Sequence, residues 1–188
     1  MRLATTEQHM SPGGHLVTTA AACVAAAALT DSWALTVAIA TGGFLIDVDH
    51  AIDYVLFEKQ RDLRPGAFLR YYLSGRVQHA VLMLHSYELF ALIAVAAWWT
   101  DSVPLWGYLM GALLHLALDL TFNGDYVPRS ISAFYSFGYR LAHGFSMPAL
   151  LGAHDDVVVP SNFWSAFFRG AAPAQPTAVR AQTRAQEA

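Results

Sequence analysis

The chain has 188 residues, of which 55% are hydrophobic and only 13% are charged, with a mean hydropathy of +0.36. A soluble domain usually carries about 25% charged residues, so this composition excludes most soluble globular enzymes and also a disordered chain. The net charge of −3 gives no electrostatic reason to expect a nucleic-acid partner. The single cysteine, Cys23, excludes a disulfide framework and a cysteine-based zinc motif.

Four apolar stretches predict helices that span a membrane, for which about 20 apolar residues are needed. The last two stretches reach this length, the second reaches it if its helix continues through Asp49, and the first is marginal. The stretches are His15–Leu29, Trp33–Ile46, Val77–Trp99 and Val103–Phe122. A secretory signal is the alternative for the first stretch, although Arg2 is offset there by Glu7. We expect an all-α integral membrane protein, with a four-helix bundle over residues 13–123.

Positive charge predicts the orientation of these spans. Five basic residues lie between the second and third stretches and others follow the fourth, whereas the turns around Asp31 and Asp101 contain none. By the positive-inside rule, both termini and the Phe57–Arg76 loop are cytoplasmic. The expected location is therefore a membrane whose cytoplasmic side carries both termini, with the lipid bilayer as a partner.

Three further segments flank the predicted bundle. Residues 1–12 form a cytoplasmic N-terminal segment. Residues 124–169 form an interfacial segment, in which aromatic and basic residues predict an amphipathic helix at Tyr126–Phe145 and a short patch at Phe163–Phe168. Residues 170–188, rich in Ala, Gln, Pro, Thr and Arg, are expected to be a disordered tail.

An internal repeat with an offset of seventy relates the two halves of the bundle. The tripeptide Thr30–Ser32 recurs as Thr100–Ser102, and we interpret Asp31 and Asp101 as helix caps. The other matched polar pairs are His15 with His85 and Asp49 with Asp119. The pattern predicts two hairpins, Gly13–Asp49 and Met83–Asp119, related by a pseudo-two-fold axis along the membrane normal. The alternative is two unrelated hairpins whose turns use the same capping residues.

The polar residues within the spans share one depth. The 18 residues from Asp31 to Asp49, and the same number from Asp101 to Asp119, cover about 27 Å of helix, which is nearly a full bilayer. The histidines of the repeat lie at a similar distance from these turns. Charged groups inside a membrane are costly and usually serve a function. Five residues therefore predict a metal or catalytic site near the cytoplasmic face: His15, Asp49, His85, His115 and Asp119.

Helical spacing strengthens this prediction. Asp49 and Asp53 are separated by four residues, as are His115 and Asp119, whereas Asp47 and His50 are separated by three. Such pairs share a helix face, and inward-facing His and carboxylate pairs are how helix bundles build metal sites. Imidazole and carboxylate ligands suit Zn²⁺, Mn²⁺ or Fe²⁺ without distinguishing them, and one or two ions fit the number of ligands.

Several neighbouring residues remain open as additional members of the site. Asp53 could instead cap the following loop, and Glu88 could only hydrogen-bond His85. The lone histidines His79 and His143 are more typical of helix ends than of ligands. A substrate anion could be held by Arg76, Arg129 or Arg140.

The run Phe44–Asp53, FLIDVDHAID, resembles the P-D-x-D-H signature of the predicted membrane-bound metal-dependent hydrolases. This is a family of small bacterial and archaeal inner-membrane proteins, some of them LexA-regulated. Its other marks are an early His, a T-H-S segment and a late H-L-L-x-D, which resemble His15, Leu84–Ser86 and His115–Asp119. The resemblance covers about residues 13–123. Ile46 replaces the usual Pro, Leu84 replaces Thr, and the H-R before the middle His is missing, so the chain resembles a divergent member.

The resemblance implies a metal-dependent hydrolase. We expect it to act on a phosphoester or a related bond in a lipid-linked or membrane-proximal substrate, and a homo-oligomer remains open. Asp47 or Asp53 would orient a ligand or act as general base. The metal would be held by His15, Asp49, His50, His85, His115 and Asp119. The alternatives are a small transporter or ion-binding protein that uses the same residues, and a non-catalytic protein that recruits partners through its loops.

Overall fold

The computed structural model describes residues 11–122, 131–151 and 157–174, and these residues are mostly helical. The helices are α1 (Pro12–Thr30), α2 (Trp33–Phe44), α3 (Val48–Leu56), α4 (Pro65–Leu73), α5 (Tyr87–Thr100), α6 (Val103–Phe122), α7 (Ile131–Phe134), α8 (Phe137–Ala142), α9 (Met147–Leu151) and α10 (Phe163–Arg169). One turn of 3₁₀ helix, Leu45–Asp47, joins α2 to α3. Strands β1 (Val157–Val158) and β2 (Ala172–Pro173) pair antiparallel.

Three helical segments are long and apolar enough to cross a membrane. They are α1 with 19 residues, the continuous segment Trp33–Leu56 with 24, and α6 with 20. The second predicted stretch does continue through Asp49, and the fourth has the predicted limits. Exposed tryptophans lie near the turns that join these helices, with Trp33 and Trp99 among the most exposed apolar residues. The structure therefore confirms an all-α chain with membrane-length helices for three of the four predicted spans.

The predicted span Val77–Trp99 is different, because it is helical only in α5. This helix has 14 residues, or about 21 Å of rise, which is less than the thickness of the hydrocarbon region. Residues 78–86 before it are not helical, and Leu82 has a left-handed φ of 43°. We call residues 80–86 the buried loop.

Side chains from other elements replace the helical hydrogen bonds of the buried loop. Asp53 Oδ2 accepts from the amides of Val81 and Leu82, at 2.7 and 3.1 Å. Asp49 Oδ2 accepts from the amides of Leu84 and His85, at 2.9 and 3.3 Å. Buried backbone groups must be paired, and these two carboxylates from α3 pair four of the amides.

The carbonyls of the buried loop are paired by Arg140 of α8. This guanidinium donates to Val81 O at 3.1 Å, Leu82 O at 2.8 Å and His85 O at 3.2 Å, and also to Phe134 O at 2.6 Å. Arg140 is fully buried, at 0% exposure. Of the three arginines considered for a substrate anion, Arg140 is fully buried and uses four of its five N–H donors for carbonyl groups, so it supports the buried loop in this structure.

Helices α2 and α6 form the tightest contact between the long helices. A Cβ added to Gly42 would lie 2.0 Å from Tyr108 O, and one added to Gly111 would lie 2.2 Å from Ile39 O. The backbones can approach this closely only because both positions lack a side chain, as in other membrane helix pairs. Gly107 lies against Ala38 and Gly42 lies against Ala112, so the two helices run parallel. Because Gly42 and Ala112 are seventy positions apart, this contact has the register of the sequence repeat.

The two turns of the repeat adopt the same conformation. Asp31 and Asp101 both have left-handed backbones, with φ of 50° and 46°, and each ends its helix by donating its amide to the carbonyl four residues earlier. The N-cap of the next helix is the following serine, since Ser32 Oγ accepts from Leu35 N and Ser102 Oγ accepts from Leu105 N. The aspartates are therefore caps as predicted, but they cap the preceding helix instead of opening the next one.

The C-terminal part of the described chain packs on the bundle end that carries the buried loop. In the predicted interfacial helix Tyr126–Phe145, residues 126–130 lie outside the described residues and the remainder forms α7 and α8. Phe134 and Tyr135 are buried, at 8% and 5% exposure, so this segment is not a surface-lying amphipathic helix. It contributes instead to a hydrophobic core with Ile46, Leu116 and other residues.

Helix α10 covers the predicted patch Phe163–Phe168 and contacts α1 and α4. Ser11 Oγ, which caps α1, donates to Phe168 O at 2.9 Å. The predicted tail begins with β2, and its residues 175–188 lie outside the described residues. Residues 1–10 of the predicted N-terminal segment and Arg129 also lie outside them.

We predict that Gly111→Ala destabilises the protein by about 1–3 kcal/mol, because the new methyl group must displace the backbone of α2. Thermal unfolding in detergent would measure this loss. Gly66→Ala in α4 is the control, since its nearest neighbour would be the flexible end of Arg70 at 3.4 Å. Equal melting temperatures for the two variants would contradict the tight helix contact.

Candidate metal centre

Six imidazole and carboxylate side chains converge where the C-terminal end of α6, the start of α1 and the start of α3 meet the buried loop. Their donor atoms fall into two sets, within each of which all atoms lie within 4.8 Å of one another. The inner set is His15, His115 and Asp119, and the outer set is Asp47, His50 and His85. The sequence predicted a shared depth for four of these residues, His15, His85, His115 and Asp119, together with Asp49, and it predicted His50 as a further ligand. It did not predict that Asp47 would face His85 and His115.

The two sets meet in a triangle of three acceptor atoms. His85 Nε2 lies 3.3 Å from His115 Nε2, and Asp47 Oδ1 lies 3.4 Å from each of these nitrogens. A zinc ion with ligand bonds of about 2.0–2.2 Å separates neighbouring tetrahedral ligands by about 3.3–3.6 Å. The triangle therefore has the dimensions of one face of a tetrahedral zinc site.

The hydrogen bonds on the far side of each ring determine which nitrogen faces the triangle. His115 Nδ1 lies 2.9 Å from the carbonyl of Gly43, which can only accept, so we assign the proton to Nδ1. His85 Nδ1 lies 3.0 Å from Asp49 Oδ2, and the same assignment follows. In the neutral rings, both Nε2 lone pairs then point at each other and at a carboxylate oxygen. Such an arrangement requires a cation or a proton between the groups.

The charges around the triangle favour a positive charge. Asp49 Oδ2 lies 3.0 Å from His85 Nδ1, and Asp47 Oδ1 lies 3.4 Å from His85 Nε2. Two carboxylates are thus directed at one fully buried imidazole. A divalent cation at the triangle would balance the negative charge of these two carboxylates, and it would take the place of a proton on His85 Nε2.

The inner set is built around Asp119. One carboxylate oxygen lies 3.1 Å from His15 Nε2, and the other lies 3.5 Å from His115 Nε2. The two imidazole rings are stacked, with centroids 3.8 Å apart. The C-terminal segment brings the Tyr135 ring close to the cluster, with its centroid 6.4 Å from that of His85. All three side chains of the inner set are less than 10% exposed.

The outer set is more open to its surroundings. Asp47 Oδ1 lies 3.7 Å from His50 Nε2, and these side chains are 33% and 28% exposed. His85 is the buried member, at 1%. A molecule that approaches the cluster would therefore reach Asp47 and His50 first.

Two of the predicted site residues have other positions. Asp49, predicted as a metal ligand, lies behind His85 and uses its oxygens for the Nδ1 of that ring and for the buried loop. Asp53, predicted to be a general base or a ligand-orienting residue, or else a cap of the following loop, accepts instead from the amides of Val81 and Leu82 in the distant buried loop. Asp47 was given the same predicted role as Asp53. In the structure it is the carboxylate that faces both His85 and His115.

The residues left open by the sequence are engaged elsewhere. His79 Nδ1 lies 3.1 Å from Glu58 Oε1, which also accepts from the amides of Gln78 and His79. Glu88 accepts from Ser136 Oγ and from two amides at the start of α8. His143 Nδ1 lies 2.8 Å from Tyr139 O. Arg76 donates to Ser74 Oγ and stacks on the Tyr71 ring.

Sequence reasoning missed two contributors to the site and gave a third residue another role. The Gly43 carbonyl and the Tyr135 ring were missed. A backbone carbonyl leaves no trace in side-chain spacing, and Tyr135 lies in a segment that was interpreted as interfacial. Arg140 was considered for a substrate anion, whereas it pairs the carbonyls of the buried loop.

Comparisons of this chain with protein-family models, with curated proteins and with solved structures found no match.

We predict that Arg140→Lys strongly destabilises the chain, because one ammonium group cannot reach four carbonyls in the fixed geometry of a guanidinium fork. Each buried acceptor that is left unsatisfied costs about 1–3 kcal/mol. Thermal unfolding in detergent measures the loss. Arg64→Lys is the control, since Arg64 is exposed and pairs only with Asp62 among the described contacts. If both lysine variants melt at the wild-type temperature, Arg140 does not support the buried loop.

Proposed function

We propose that this chain is a membrane-embedded, metal-dependent hydrolase that cleaves a phosphoester or a related bond in a lipid-linked or membrane-proximal substrate. The observation that carries the proposal is the triangle of His85 Nε2, His115 Nε2 and Asp47 Oδ1, with edges of 3.3–3.4 Å. Three converging lone pairs fit a divalent cation. They do not fit a set of histidines that is satisfied by hydrogen bonds within a protein core.

The residues behind the triangle fit a metal site as well. Metal-binding histidines usually donate their second nitrogen to a carboxylate or a backbone carbonyl, which fixes the ring and its tautomer. Asp49 has this position behind His85, and the Gly43 carbonyl has it behind His115. In the proposed site, Asp49 therefore orients a ligand instead of binding the ion itself.

When bound, a divalent ion supplies Lewis-acid chemistry, which activates water as a nucleophile and polarises a phosphoryl oxygen. The protein determines from which side the substrate arrives. Asp47 and His50 are the exposed members of the cluster, and the side chains of Leu45, Val48 and Ile52, which neighbour them in sequence, are exposed as well. An amphiphilic substrate could keep its apolar part against these side chains while its polar part reaches Asp47.

We further propose that α5 and the buried loop together make the fourth crossing of the bundle. Irregular backbone at membrane depth is tolerated only where other parts of the protein satisfy it. Asp49, Asp53 and Arg140 pair the amides and carbonyls of this loop. With the basic residues of the Phe57–Arg76 loop at the same end, the positive-inside rule favours a cluster on the cytoplasmic side of the inner membrane, with both termini cytoplasmic.

The position of the cluster favours hydrolysis over transport. His15 is in the first turn of α1, and Asp119 is in the last turn of α6. Ion and substrate sites of transporters lie near the middle of the bilayer, whereas these residues lie at the helix ends.

Metal content and hydrolysis should fall together when Asp47 is neutralised. We predict that the chain purified in detergent holds at least one divalent ion and that Asp47→Asn lowers the affinity for an ion at the triangle by roughly tenfold or more, so that the variant retains less metal, as changes near metal ligands do. Elemental analysis measures the metal, and a panel of phosphomonoester, phosphodiester and phospholipid substrates measures the activity. Asp101→Asn is the matched control, because Asn tolerates the left-handed backbone of that turn.

Two results would reject this proposal. One is a protein with little metal whose content Asp47→Asn does not change. The other is a metal-loaded protein that hydrolyses nothing in the panel but carries an ion across proteoliposome membranes, which would favour transport. Circular dichroism of both variants separates loss of metal from loss of fold.

A further inference from the structure

The six donor side chains are shared between the two halves of the repeat in a reciprocal way. We call residues 11–56 the first half and residues 80–122 the second half. His15 of the first half joins His115 and Asp119 of the second half in the inner set. His85 of the second half joins Asp47 and His50 of the first half in the outer set. Each set therefore consists of the repeat-related histidine of one half and a His–Asp pair from the last long helix of the other.

A two-fold relation between the halves accounts for the exchange of the two histidines. The offset of seventy maps His15 onto His85 and Asp119 onto Asp49, and the contact of α2 with α6 keeps the same register at Gly42 and Ala112. The contact of His15 with Asp119 therefore has its counterpart in the contact of His85 with Asp49. The other three donors, His115, Asp47 and His50, have no counterpart under this offset, so two centres are supported by their contacts and not by the repeat.

One ion cannot use all six donors. Ligands on opposite sides of one zinc ion are at most about 4.2–4.4 Å apart, given bonds of about 2.1–2.2 Å. A single ion held by His85, His115 and Asp47 would leave out the other three donors, which are His15, His50 and Asp119. Each imidazole nitrogen has one lone pair and can serve one ion, whereas the Asp47 carboxylate approaches histidines of both sets.

His15 and His50 each have one ring nitrogen, the buried Nδ1 atom, without a hydrogen-bond partner among the described residues. Buried polar groups are nearly always paired, so neither ring is held in place through its Nδ1 atom. What each ring does present is its Nε2 atom, to Asp119 in one set and to Asp47 in the other.

We propose that the cluster binds two divalent ions, one held by His15, His115 and Asp119 and the other by Asp47, His50 and His85, with Asp47 facing both. This inference rests on the metal binding in the proposed function, and it assigns His115 and His85 to different ions, so that the triangle of His85, His115 and Asp47 becomes the place where the two centres meet. The two centres differ in access. The inner set is less than 10% exposed, whereas Asp47 and His50 of the outer set are 33% and 28% exposed. The outer ion exchanges readily and faces the substrate, and the inner ion exchanges slowly.

Zinc release from the full chain tests this assignment without any activity measurement. The detergent-purified protein is stripped of metal, reloaded with Zn²⁺, washed and mixed with a chromogenic chelator in excess. We expect two zinc ions per chain, released in a fast and a slow phase of equal amplitude. His50→Ala should keep one ion and lose the fast phase, and His15→Ala should keep one ion and lose the slow phase.

The control is His79→Ala, which removes a half-exposed histidine that contacts Glu58 and not the cluster. It should keep two ions and both phases. Far-UV circular dichroism of each variant tests folding, and the more conservative His15→Gln and His50→Gln replace any alanine variant that fails to fold.

Other outcomes overturn the inference in recognisable ways. One zinc ion released in one phase, with hydrolysis retained, rejects the second centre and leaves the proposed function standing. Loss of both ions in each single variant rejects two separate centres. Two ions without hydrolysis of any substrate supports the two centres and rejects the hydrolase. A chain that binds no zinc rejects both.

Discussion

The structure depends on how the backbone of the buried loop is hydrogen-bonded. A segment without helical hydrogen bonds is placed at the end of an apolar bundle, where each unpaired amide or carbonyl would cost several kcal/mol. Two carboxylates of α3 pair its amides, and the guanidinium of Arg140 pairs its carbonyls. This allows the chain to leave the helix and aim His85 sideways into the cluster. In a regular helix through residues 77–99, the backbone at His85 would take a different course, and the side chain would not be directed by the buried loop toward His115 and Asp47.

The features that depend on local spacing were predictable. The limits of α6, the continuation of the second span through Asp49 and the shared depth of the histidines follow from apolar length and helix rise. The pairs Asp47–His50 and His115–Asp119 also meet as their spacing predicts. The interruption before α5 was not predictable, because its apolar residues suit a membrane helix. Only distant partners, Asp53 and Arg140, make the irregular backbone stable there.

Asp47 and Asp49 have the reverse of their predicted positions, since Asp47 faces the histidines and Asp49 lies behind His85. This shows how far a prediction from shared helix faces can go. Helical spacing correctly placed Asp49 and Asp53 on one face, and both do point the same way. Spacing does not tell what that face meets. It meets the amides of the buried loop, whereas the 3₁₀ turn at Leu45–Asp47 directs the Asp47 side chain toward the histidines. The contacts of each carboxylate show its role: Asp49 and Asp53 anchor the buried loop, whereas Asp47 faces the histidines of the candidate site.

The reciprocal contacts of the two halves bear on how such a cluster could arise. His15 meets Asp119 and His85 meets Asp49, so each half supplies a histidine to a carboxylate of the other. A single ancestral hairpin with one histidine at its start and one aspartate at its end would form both contacts by pairing with an identical copy in the same membrane orientation. Joining the two copies in one gene would then free each to diverge. Asp119 now contacts the Nε2 atom of His15, whereas Asp49 contacts the Nδ1 atom of His85.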